Sequence, residues 1–87
     1  DRTLRKIGRD DLLAACRSNG ELSTEKAVVM ADLLREEAEL LLLEERSQEA
    51  ATAARQALWL YEAAIEHGAA LPLDIYQRIE RMREVAG

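Results

Sequence analysis

Apolar and polar positions alternate along this chain with helical spacing, and the few glycines and the single proline divide it into blocks. Gly8, Gly20, Gly68 and Gly87 are the glycines, and Pro72 is the proline. The first block predicts a short helix over about 10–18, capped by Asp10 or Asp11, with Leu12, Leu13 and Cys16 on one face. Ser18-Asn19-Gly20 reads as its stop, because Asn and Gly tolerate the left-handed backbone. Upstream, Leu4 and Ile7 are weak anchors, and residues 1–9 add a helical turn or fray.

The second block predicts a long helix over about 24–45, with Ser23 as N-cap and Glu25 suited to the dipole of the first turn. Ala27, Ala31, Leu34, Ala38 and Leu41 form one stripe. Val29, Leu33 and Leu40 read as a second, adjacent stripe, so the helix is expected to bury a broad face.

Residues 21–67 lack Gly and Pro, so one continuous rod is a competing reading. The apolar phase opposes it. Extending the Leu34–Leu41 stripe reaches Glu45, Gln48, Thr52, Gln56 and Trp59, which are mostly polar. A heptad seam through Met30, Leu33, Leu40, Ala54, Leu58 and Tyr61 is broken by Glu37, Glu44 and Ser47. The polar cluster Glu44-Glu45-Arg46-Ser47 therefore predicts a turn, with Ser47 able to cap a helix over about 48–67. That helix carries Ala50, Ala54, Ala57, Tyr61 and Ala64/Ile65 on its main stripe, and Gly68 as C-cap. A last helix over about 72–85 places Pro72 in its first turn and Ile75, Ile79, Met82 and Val85 on its apolar face. The expected fold is all-α, a single domain of four to five helices around an antiparallel hairpin.

The hairpin resembles a tetratricopeptide repeat. Ala38 sits at a small position between Leu34 and Leu41, and Ala50, Ala54 and Ala57 fall on the second helix's small positions, so residues 31–64 read as one degenerate repeat. Glu37 at an apolar position, and Glu62 where the terminal proline would stand, depart from the pattern. The stretch Ala70-Leu71-Pro72-Leu73-Asp74-Ile75-Tyr76-Gln77-Arg78-Ile79, with Ser23-Thr24-Glu25-Lys26, resembles an uncharacterised family of short bacterial helical proteins. The resemblance implies the fold and a bacterial origin. It supplies no activity.

Composition narrows the function classes. The chain has 87 residues, 48% hydrophobic and 33% charged, with a formal charge of −5. Residues 21–66 hold eleven acids against four bases. That acidic middle argues against a phosphate backbone and against an anionic membrane surface. No apolar run approaches the roughly 18 residues of a membrane span, and a cytoplasmic setting is expected. The chain begins at Asp1, which suggests a trimmed chain or one domain of a longer protein. Arg2, Arg5, Lys6 and Arg9 form a small basic patch, and Arg78, Arg81 and Arg83, interleaved with Glu80 and Glu84, read as a salt-bridged surface.

Catalytic chemistry is thinly represented. The single Cys16 excludes an internal disulfide and reads as a buried thiol. The single His67 supports no triad. The carboxylate pairs Glu36/Glu37, Glu44/Glu45 and Glu62/Glu66 lie on faces that look solvated, and Glu62, Glu66 and His67 supply too few convergent ligands for a metal. No enzyme, cofactor or metal site is expected.

Surplus apolar surface is the stronger signal. Leu40, Leu41, Leu42 and Leu43 point in four directions around a helix, and Trp59 sits on an otherwise polar side. Either the first and last helices cover them, or Leu40, Leu42, Leu43 and Trp59 form an interface. The expected function is a non-enzymatic protein-interaction module, binding a protein partner or a second copy as a homodimer. An oligomerisation domain of a longer chain and a ligand- or metal-responsive regulator are the alternatives.

Overall fold

A computed structural model describes residues 8–18, 20–68 and 71–87. Residues 1–7, with the frayed-turn reading and the Arg2, Arg5 and Lys6 patch, lie outside the described residues. Among the described residues four helices follow in order: α1 (Arg9–Ala15), α2 (Thr24–Leu43), α3 (Ser47–His67) and α4 (Ile75–Ala86). The described residues are all-α apart from a two-residue antiparallel pairing, in which Arg17 faces Leu22 and Ser18 faces Glu21.

That pairing changes how α1 ends. The helix stops at Ala15, with Cys16 as its C-cap, and the chain turns back through Gly20 at φ 81°. Ser23 N–H donates to Cys16 O at 2.8 Å, which brings the start of α2 against the end of α1. Gly8, rather than Asp10 or Asp11, occupies the N-cap of α1, and both aspartates lie in its first turn, where they complement the dipole.

Ser23 caps α2 as expected, its Oγ accepting from Lys26 N–H at 3.3 Å. The α2–α3 turn lies within the predicted polar cluster, which decides between hairpin and rod. Glu45 N–H donates to Leu42 O, Arg46 N–H donates to Leu41 O, and Glu45 takes φ 60°. This is a Schellman closure with glutamate at the left-handed position. Arg46, not Ser47, is the N-cap residue of α3, and its guanidinium forks onto Glu49 at 2.7 and 2.8 Å. Gly68 ends α3 in the left-handed conformation.

The last helix begins at Ile75, three residues later than the sequence suggests. Ile75 N–H bonds back to Pro72 O at 3.2 Å, so Pro72 opens a tight turn that precedes the helix. The first four-residue helical bond runs from Arg78 N–H to Asp74 O.

The core is organised around α3. Ala50, Ala53, Ala54, Gln56, Ala57, Leu60, Tyr61, Ala63 and Ala64 are buried there, a wider arc than the predicted stripe. From α2 come Ala27, Ala31, Leu34, Ala38 and Leu41, from α1 Leu12 and Cys16, and from α4 Ile75, Ile79 and Met82. Alanine at successive positions of α2 and α3 removes side-chain bulk between them, which permits close approach of the two axes.

Candidate functional site

The second apolar stripe of α2 is solvent-facing. Val29, Leu33, Leu40 and Leu43 are 54, 57, 60 and 81% exposed. Helix geometry gives the reason. At 100° per residue, these positions centre about 160° from the buried Ala27–Leu41 stripe, so they occupy its back and not its flank. The reading of Val29, Leu33 and Leu40 as part of the buried face is therefore corrected: the core-facing side of α2 is flanked by Val28, Met30 and Leu42 instead, and the second stripe lies opposite it. The exposed ladder runs about 21 Å along the helix, with Glu25 and Glu36 on the same arc. Beside Val29, a shallow cavity of about 190 Å³ is lined by Ala15, Glu25, Lys26, Val29 and Met30.

The four expected interface residues separate into two sets. Leu40 and Leu43 stand on the exposed ladder. Leu42 and Trp59 are half-buried and pack against the core. Gln56, one turn before Trp59, is almost fully buried on what the sequence marks as a polar side. For Leu42 and Trp59, neighbouring elements supply the cover. Two further exposed apolar side chains, Leu73 in the turn before α4 and Tyr76 in its first turn, escaped the sequence reading.

A polar network ties α2, α3 and α4 together beside this ladder. The Tyr61 hydroxyl, buried within α3, donates to Asp32 Oδ1 on α2 and accepts from Arg35 Nε at 3.2 Å. From α4, Arg78 Nη1 reaches both oxygens of Asp32 at 3.0 and 2.9 Å. The same guanidinium holds Asp74 through Nε at 3.1 Å and Nη2 at 2.9 Å. One turn along α4, Arg81 forks onto Glu39 of α2 at 2.7 and 2.8 Å. Burial, reinforced by the bond to Asp32, pushes the Tyr61 phenol up to about 12. The Arg81 bond holds the Glu39 carboxyl below its ordinary value. Asp74 is held low by Arg78 in the same way. These contacts read as a staple: the charges are already satisfied by one another, leaving little binding capacity for a ligand.

The remaining chemical candidates are dispersed. Among the described residues no group of three or more His, Cys, Asp and Glu side chains converges to hold a metal ion. Glu62, Glu66 and His67 are exposed, as are Glu36, Glu44 and Glu45. Cys16 is buried, its thiol directed at Met30 Sδ at 3.5 Å, and burial pushes its pKa up, away from thiolate reactivity. Arg81 and Arg83 pair with the interleaved Glu84 and Glu80 as expected, whereas Arg78 pairs with Asp32 and Asp74 and Arg81 also with Glu39. No described helix is long and apolar enough to cross a membrane. No protein-family model, curated protein or solved structure matches the chain.

Proposed function

We propose that this domain is a non-enzymatic protein-interaction module that binds a protein partner through the outer face of α2. One observation carries the reading: four aliphatic side chains line up over about 21 Å on the side of a well-packed helix that faces away from its own core. Scattered exposed leucines are ordinary, but an aligned apolar ladder on an otherwise charged helix is a recognition feature. The predicted Leu40 and Leu43 belong to this surface, joined by Val29 and Leu33. Leu42 and Trp59 pack against the core and lie outside that surface. The helix-on-helix mode, with anchors at i, i+4, i+11 and i+14 on one face, suits an amphipathic partner helix.

A photo-reactive amino acid at Leu40, in cells that make the protein, tests the proposal. It should give one adduct of discrete mass that Leu43→Glu abolishes, while the same group at Glu66 gives none. Diffuse labelling, or an adduct indifferent to Leu43→Glu, would overturn it.

A further inference from the structure

Resting on that reading, we infer that the outer face of α2 takes a basic amphipathic helix, with a Lys or Arg of the partner placed against Glu36. The stripe reads Glu25, Val29, Leu33, Glu36, Leu40, Leu43, so its polar interruptions are both acidic. Glu36 stands midway between Val29 and Leu43, exposed, at the centre of the ladder. A partner helix lying along this face brings its own central seam residue to Glu36. An apolar residue there strips water from a carboxylate without compensation, whereas a cation pairs with it.

The same placement argues against a second copy as the occupant. Antiparallel pairing about the centre of the ladder sets Glu36 against Glu36 of its twin. Parallel pairing does so too, and adds Glu25 against Glu25. Either arrangement forces like charges into an apolar seam, on a chain already carrying −5. Residues 21–66 hold eleven acids against four bases, and this acidic excess attracts a cationic helix from solution.

The probe is a synthetic helical peptide of about 20 residues, long enough to span the ladder. It carries Leu at the seam positions, Lys at the central one and at the flanks, and Ala elsewhere; its twin has Glu in place of every Lys. Binding to the whole chain is followed by fluorescence anisotropy near physiological ionic strength. The Lys peptide is expected to bind and the Glu peptide not. Leu33→Ser or Leu40→Ser, both at exposed positions outside the core, should each weaken the Lys peptide by about tenfold or more. Glu36→Lys should invert the preference between the two peptides. Equal binding of the Lys peptide by wild type and both serine variants would reveal unspecific charge attraction and overturn the inference. So would a Leu40-dependent dimer in sedimentation, which would name a second copy as the occupant. Preference for the Glu peptide, or binding of neither while the Leu40 cross-link persists, would sink the basic partner yet leave the interaction module standing. Loss of the cross-link itself is the separate failure of the module.

Discussion

Replacing Tyr61 by Phe removes one oxygen from the centre of the three-helix staple and leaves the ring in place. The hydroxyl is buried, donates to the Asp32 carboxylate and accepts from Arg35. A buried hydrogen bond to a charged group contributes roughly 1.5–3 kcal/mol, and Asp32 retains both bonds from Arg78, so a net loss of about 1–2 kcal/mol follows at neutral pH. For a domain of this size, each kcal/mol lowers the melting temperature by about 4–8 °C. The alkaline limb makes the test specific. The phenol is raised from 10 to about 12 in the folded chain. The native state therefore keeps its proton where the unfolded chain has lost it. Stability from Tyr61 is complete below pH 10 and is lost as pH rises toward about 12. The loss is on the order of 2 kcal/mol, a cost the Phe variant never meets. Urea titrations of both proteins at several pH values should show wild type ahead at neutral pH and its lead gone by about pH 12. Equal stabilities at neutral pH, with parallel curves through the alkaline range, would show that the hydroxyl is not held as described.

Other perturbations probe other parts of the fold. Glu45→Gly relieves a left-handed glutamate and removes an anion from the C-terminal end of the α2 dipole, so urea midpoints should rise by about 1 kcal/mol equivalent, while Glu45→Ala gives less. Ala57→Leu forces bulk into a fully buried site and should cost about 1–3 kcal/mol, seen as a lower melting temperature. Glu39→Gln removes a carboxyl held low by Arg81, whose contribution is present above the ordinary carboxylate range and fades as pH falls. The pair is partly exposed, so the acid limb of a stability–pH curve should flatten by less than about 1 kcal/mol. Cys16 should resist a neutral alkylating reagent in the native chain and react fully in denaturant, as read by intact mass.

Much of the architecture was legible because it rests on local signals. Ser23, the polar cluster at 44–47 and Gly68 each mark a helix boundary by backbone chemistry, and the Ala27–Leu41 stripe names its buried face directly. Three features escaped for physical reasons. Asn19-Gly20 is a hairpin signal as well as a helix stop, and the backbone pairing of Arg17 with Leu22 takes up the first option. Val29, Leu33 and Leu40 share a helical spacing with the core stripe; the 100° step sets them on the opposite side from it, and only tertiary packing decides which side is covered. The Asp32–Tyr61–Arg78 staple joins residues 29 and 46 positions apart, a juxtaposition created only by tertiary packing.

The alanine lining of α3 has a mechanical consequence. Away from Leu60 and Tyr61, the small side chains of α3 leave shallow ridges, so apolar packing there distinguishes weakly between one axial position of Ile75, Ile79 and Met82 and another one helical turn away, about 5.4 Å along. Such a slip would keep most of the apolar burial but would part Arg78 from Asp32 and Arg81 from Glu39. The ion pairs between α2 and α4 thus act as a detent on an otherwise smooth slide: burial holds the last helix down, and charge decides where along the bundle it stops.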